Sequence, residues 1–186
     1  MEKQMKHAIR TALIFGMISF FGTASPKVAL GDEAFKPLLG INVGAASYNN
    51  SVGTKLTYGG RAAVRYGDLE LGVDYRTAKL QNDNTTSTSV DIAYLLGEFD
   101  YRMAMGGGHF AVGLEAGSGK VTTNLNFGFV SISGNSEENF AFGPKVSYSI
   151  PLSEHFEVGA SVDYLTVLTS SKINSIGILA NAAYLF

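Results

Sequence analysis

The sequence contains no cysteine and no tryptophan. It therefore has no disulfide framework, no thiol nucleophile and no cysteine-ligated zinc site. Charge is scarce too. Charged residues make up 16 % of the 186 residues, hydrophobic ones make up 46 %, and the net charge is −2. That balance leaves no basic footprint for nucleic acid. Proline is rare, at 4 residues, whereas glycine is abundant, at 22. No segment after residue 35 has helical periodicity.

The one long apolar run stands at the start. "TALIFGMISFFGTA" (11–24) follows Lys3, Lys6 and Arg10. It is short of the roughly 20 residues a spanning helix needs, and its layout is that of a secretory signal. Residues 1–31 are read as that signal, with cleavage after Ala24 or Gly31. Residues 32–186 are read as a single β domain.

Period-2 alternation dominates this domain. Leu56, Tyr58, Ala62, Val64 and Tyr66 share one face of a strand whose other face carries Thr57, Arg61 and Arg65. After a turn at Gly67-Asp68, Leu69, Leu71, Val73 and Tyr75 alternate with Glu70, Asp74 and Arg76. This reads as a tight hairpin. Similar patterns begin at Leu39, Val90, Phe110, Phe140, Phe156 and Ile176, which makes eight strands. Short turns are expected at Gly67-Asp68, Met105–Gly108 and Pro151–His155. Longer polar loops are expected near Asn49–Thr54, Leu80–Thr88, Gly119–Glu138 and Thr169–Asn174. The stretch 121–133 is itself strand-like and could lengthen strands five and six. With an even strand number, both termini lie at the short-turn end.

Two positions disturb the pattern. In strand four the apolar face reads Val90, Ile92, Tyr94, Leu96, and parity then shifts to Phe99. A bulge near Gly97 would restore the pleat. Pro144 occupies an apolar-face position in strand six, which calls for a bulge or a strand end.

Residue size argues for which face is inside. An eight-stranded barrel has an interior just wide enough for side chains to fill, so the many Phe, Tyr, Leu and Ile side chains would overfill it. The other face carries Arg61, Arg65, Glu70, Asp74, Arg76, Asp91, Arg102, Glu115, Lys145, Glu157 and Asp163 among small residues. These charges are assigned to the lumen as a paired network, and the apolar face is assigned to lipid. Tyr66, Tyr101, Phe110, Tyr148, Phe156 and Tyr184 would form an interfacial girdle near the short turns. A lipocalin-like soluble barrel would instead favour an apolar interior.

The final stretch "NAAYLF" ends on an aromatic residue inside the alternating pattern. A closed barrel pairs its last strand with its first, because an open edge cannot exist in lipid. With the signal segment and eight amphipathic strands, this ending resembles the small bacterial outer-membrane barrels of the OmpA transmembrane-domain and OmpX type. The resemblance implies a Gram-negative outer-membrane location among lipids and lipopolysaccharide. It also implies that Ile178, Ala180, Ala182, Tyr184 and Phe186 form the signal read by the barrel-assembly machinery.

No catalytic, metal or cofactor site is expected. "GSGK" (117–120) lacks the upstream glycine and the following Ser or Thr of a phosphate loop. Beyond the signal segment, the two histidines, His109 and His155, lie beside short turns, so a Ser-His-acid site near the outer rim would have no histidine. Asn84-Thr85-Thr86 reads as a chance glycosylation sequon. The expected function is structural or surface-interacting, through extracellular loops that could take a surface ligand. The chain is expected to be a monomer with a plugged lumen. The alternative is a narrow porin-like channel for ions or small solutes.

Overall fold

The computed structural model describes residues 35–49, 53–83, 88–127, 130–169 and 172–186. The signal segment and the sequon at 84–86 lie outside them. Eight strands follow in order: β1 Lys36–Tyr48, β2 Gly53–Tyr66, β3 Leu69–Asp83, β4 Thr88–Met105, β5 Gly108–Phe127, β6 Val130–Pro151, β7 Phe156–Val167 and β8 Ile173–Leu185. Each pairs antiparallel with the next, and β8 closes on β1 from Leu38↔Leu185 to Tyr48↔Ser175. The result is the expected closed, up-and-down, eight-stranded barrel. Closure satisfies the backbone groups that an open edge would leave bare.

Turn chemistry explains the short connections. Gly67 has φ +55° and Asp68 is not left-handed, which fits a two-residue type II′ hairpin. Gly106 and Gly107 are both left-handed, at +60° and +80°, as type I′ requires. These turns, with Leu152–His155, lie at the end where β1 begins and β8 finishes, called here the terminal end. The opposite end is called distal.

The strands are strongly tilted. Stepping across paired residues from Thr77 of β3 leads through Tyr58, Val43, Ala180, Ala160, Tyr148 and Phe110 to Met103. The walk starts near the distal end and finishes at the terminal end. Such stagger corresponds to strands inclined by about 40° to the barrel axis.

Apolar side chains cover the outside. Leu39, Ile41, Leu71, Tyr75, Leu114, Val146 and Ile178 all stand exposed. The belt spans about ten residues of each strand, or roughly 25 Å along the axis at this tilt. That is the height of the apolar band of an outer-membrane barrel. The six expected girdle residues all face outward near the terminal end, where Phe35 stacks on Tyr66 with ring centroids 4.8 Å apart.

Three expectations are corrected. No register shift occurs at Gly97, and β4 pairs continuously with β5 from Thr88 to Met105. Ile92, Tyr94 and Leu96 are buried inside, while Leu95, Phe99 and Tyr101 are outside. The alternation never breaks. Instead, the environment inverts: near the distal end the interior is apolar, and nearer the terminal end it is charged. Asp91, opposite in parity to the fully buried Ile92, therefore lies on the outer face and not in the lumen. The irregularities fall elsewhere, between Lys79 and Gln81 and between Thr122 and Asn124.

Second, most of two expected loops is strand. β3 reaches Asp83, and β5 and β6 stay paired to Phe127↔Val130. "GSGK" accordingly lies within β5. Third, Pro144 sits in mid-strand. It pairs with Leu114 on one side, but on the other the β6–β7 pairing skips from Phe142↔Thr166 to Lys145↔Asp163. The missing N–H interrupts the ladder without changing its register. Gly143 beside it is needed for close approach, since a Cβ there would collide with the Tyr164 carbonyl.

Candidate functional site in the barrel lumen

Inward-facing residues of seven strands meet in the lumen, and ten of the eleven expected network residues are among them. Arg76 of β3 is the hub. Its guanidinium pairs with Asp163 at 2.7 Å, with Asp74 at 3.1 Å and with Glu115. Nearer the terminal end, Arg65 bridges Glu70 and Glu157, both at 2.8 Å. Arg102 binds the same two carboxylates, at 2.8 and 3.4 Å. Arg61 links the two groups through Glu70 at 2.5 Å and Glu98 at 2.9 Å. Lys145 contacts Glu98 at 2.8 Å and Asp100 at 2.9 Å.

Glu98, Asp100 and Asn42 were not expected here. Asn42 donates to Asp74 at 2.7 Å. The two carboxylates share a face with Arg102, which was assigned to the lumen, so the same alternation would have included them. The signal that would have recovered them is the triplet Glu98, Asp100, Arg102 on one face, with Phe99, Tyr101 and Met103 on the other.

The network is dense because the tilted, staggered strands place long side chains at overlapping heights. Buried charges are tolerated only when paired and hydrogen-bonded, and each of the five cations has at least two carboxylate partners. Seven carboxylates oppose these five cations, so the network holds two more acidic groups than basic ones. Asp74, Glu98 and Glu115 bring oxygens within 4.8 Å of one another. Arg61, Arg76 and Lys145 pair with these carboxylates, so the cluster is the anionic part of the ion network. The space left between these groups is ≈ 30 Å³ for water centres, enough for about two waters.

Apolar packing closes the lumen further. At the distal end Tyr48, Leu80, Ile92, Tyr94, Leu165 and Val167 form a buried cluster with Ala46, Ala78, Leu96 and Ala141. At the terminal end Leu38, Ala63, Ala183 and Leu185 pack together beside the Arg65 and Arg102 pairs.

The outer face of β8 carries Ile178, Ala180, Ala182, Tyr184 and Phe186, and its inner face carries Leu179, Asn181 and Ala183. Its end is clamped. Leu185 donates its N–H to the His155 carbonyl at 2.8 Å, Phe186 donates to Pro37 at 3.0 Å, and the His155 ring stacks on Tyr184. His109 lies at the start of β5. Both histidines are thus at the terminal end, as the sequence suggested.

No family model matches the chain, and no curated protein matches it. Solved structures do. Neisserial surface protein A is similar with 16 % identity and a TM-score of 0.62, over 82 % of this chain and 97 % of that one. Ail, the attachment invasion locus protein of Yersinia pestis, solved with the heparin analogue sucrose octasulfate, has 12 % identity and a TM-score of 0.58, over 82 % and 99 %. A major outer membrane protein from Thermus thermophilus has 11 % identity and a TM-score of 0.57, over 82 % and 100 %. The chain has the fold of the small outer-membrane β-barrels. Its apolar belt is the surface that an outer-membrane location requires.

Proposed function

We propose that the protein is a non-conducting, monomeric outer-membrane barrel with a structural or surface-interaction role. One observation carries this reading: the lumen is filled at every level, by an apolar cluster at the distal end and by a continuous ion network below it. Opening a water path would separate several buried pairs at once. The surface role rests on paired strands, not on long loops. β5 and β6 continue beyond the last β6–β7 pair, Ala141↔Val167, and present a paired extension on the distal side. A ligand at the cell surface would meet this extension first. The outward residues of β8, from Ile178 to Phe186, are proposed to serve as the signal for the barrel-assembly machinery before closure buries the strand edge.

A narrow channel is the second reading, favoured by the water-sized space inside the network and by its excess of carboxylates over cations. Such a channel would prefer cations. Conductance of the purified barrel in a planar bilayer separates the two. The plugged reading expects a flat trace, and steady unitary steps with cation selectivity would replace it with the channel. Outer-membrane fractionation with heat-dependent gel mobility tests the location independently of either.

A further inference from the structure

The ion network is unevenly balanced along the lumen. At the terminal end Glu70 and Glu157 face Arg65 and Arg102, two against two. Towards the distal end Asp74, Glu98, Asp100, Glu115 and Asp163 share Arg61, Arg76 and Lys145, five against three. The whole surplus of acidic groups therefore falls in one place. There, one oxygen each of Asp74, Glu98 and Glu115 lie within 4.8 Å of one another.

Buried carboxylates alone can be satisfied by their own cations. A second observation sets this cluster apart. Asn42, only 3 % exposed, donates its amide N–H to Asp74 at 2.7 Å, and its carbonyl Oδ1 is buried with no hydrogen-bond partner. Asp74 Oδ1, Asp100 Oδ1 and Glu115 Oε2 are buried without a partner as well. The corresponding donors of the neighbouring cations are Arg61 Nε and Arg76 Nε, and the latter stands 3.1 Å from Asp74. Acceptor oxygens thus outnumber donors among these described residues. Asn42, Asp74, Glu98 and Asp100 line the same ≈ 30 Å³ space.

We propose that this pocket binds one divalent hard cation of calcium size, held by Asp74, Glu98 and Glu115 with Asn42 Oδ1 as a neutral ligand. The donor set is all oxygen, which suits calcium and magnesium. Magnesium demands near-octahedral geometry and keeps several waters, whereas calcium accepts irregular sites with ligands at about 2.3–2.6 Å. Oxygens on opposite sides of such an ion stand roughly 4.6–5.2 Å apart, which is the scale of the cluster. One ion and one water fill the space. A divalent charge offsets the surplus carboxylates without separating any existing pair. The ligands come from β1, β3, β4 and β5, so the ion ties four strands together. Packing closes the lumen on both sides of the site, so the ion enters as the barrel folds. The site is separate from the surface role, which stands whether or not an ion binds.

The probe is calcium alone. The full-length barrel is folded into neutral detergent with calcium chloride, freed of unbound ion by gel filtration, and counted for calcium by native mass spectrometry, in neutral and in alkaline buffer. Heat-dependent gel mobility is recorded on every variant, so loss of the barrel is distinguished from loss of binding. Wild type is expected to hold a single calcium ion. Glu115→Gln removes a ligand charge at unchanged size, and Asn42→Ala removes the neutral ligand while leaving every ion pair in place. Each is expected to stay folded and to need at least about tenfold more calcium for half occupancy, since even changes beside a metal's ligands cost about 10–100-fold. Glu157→Gln, in the balanced terminal group, is expected to bind like wild type. Folded wild type free of calcium in both buffers overturns the site and assigns protons to the surplus carboxylates. Undiminished binding by folded Glu115→Gln and Asn42→Ala, or an equal loss in Glu157→Gln, also overturns it, because the ion then sits elsewhere. Magnesium that displaces calcium at equal concentration overturns calcium size as the basis of selection.

Discussion

The barrel has two zones that obey opposite rules. Through the middle of the belt the wall is apolar outside and charged inside, as at Leu71 against Asp74 or Leu114 against Glu115. Beyond it the wall is polar outside and apolar inside, as at Asp91 against Ile92 or Lys79 against Leu80. The β3, β4 and β5 strands run through both zones with the same pleat. β4 makes the point most directly, since Ile92, Tyr94 and Leu96 share a face with Glu98, Asp100 and Arg102. Alternation dictates only which residues share a face. The medium around each level decides whether that face is apolar.

Five substitutions break or sharpen this contrast. The largest effect is expected in the charged zone. Arg76→Ala strands Asp74, Glu115 and Asp163 without their shared cation. It should cost about 3–5 kcal/mol, the usual penalty for breaking a buried pair, read as a lower urea midpoint in detergent. A loss below about 1 kcal/mol would mean that the network is hydrated and not a plug. In the distal zone Ile92→Ala should cost about 2–4 kcal/mol by leaving a cavity, although Ile92 shares its face with the ions. If this variant is as stable as wild type, the distal cluster is not a packed core.

On the outside the two zones separate under one substitution. Leu114→Arg, in mid-belt, should cost about 2–4 kcal/mol in lipid vesicles, whereas Thr122→Arg, beyond the belt, should cost little, about 0–1 kcal/mol. Equal penalties would place the membrane boundary elsewhere. The smallest effect is expected at the distal rim, where Asn49 donates to the Lys172 carbonyl at 3.1 Å and accepts from the Asn174 N–H at 3.0 Å. Asn49→Ala should cost about 0.5–1.5 kcal/mol per lost bond. Its unfolding midpoint, measured beside that of Ile92→Ala, ranks rim against core.

Much of this was legible in the sequence. Strand number, antiparallel order, tight turns and ten lumen charges followed from period-2 alternation and from the volume of an eight-stranded interior. Two failures share one cause. Reading Val90, Ile92, Tyr94 and Leu96 as lipid-facing put Asp91 in the lumen and called for a bulge at Gly97 that the strand does not have. A strand that crosses from bilayer to water carries the same alternation with the opposite meaning, and no local pattern marks the crossing. The loop boundaries failed for a related reason. Beyond the bilayer, paired strands need no apolar outer face, so the loop limits set at Leu80 and Gly119 fall too early, whereas the strand-like pattern of 121–133 does mark the continued ladder. Pro144 was expected at a bulge or strand end, yet it sits in mid-strand, where the β6–β7 ladder skips it and keeps its register.

The pairing of β1 with β8 has a topological consequence. Phe186 donates to the Pro37 carbonyl at 3.0 Å, so the two ends of the described barrel lie side by side at one rim. The sheet is a ring, and its first strand is first by connectivity alone. A short peptide joining Phe186 to Phe35 would run along the same rim as the existing hairpin turns, and the chain could then be opened between β3 and β4 instead. Such a circular permutant keeps every strand pair and every ion pair, and only the order of strand synthesis changes.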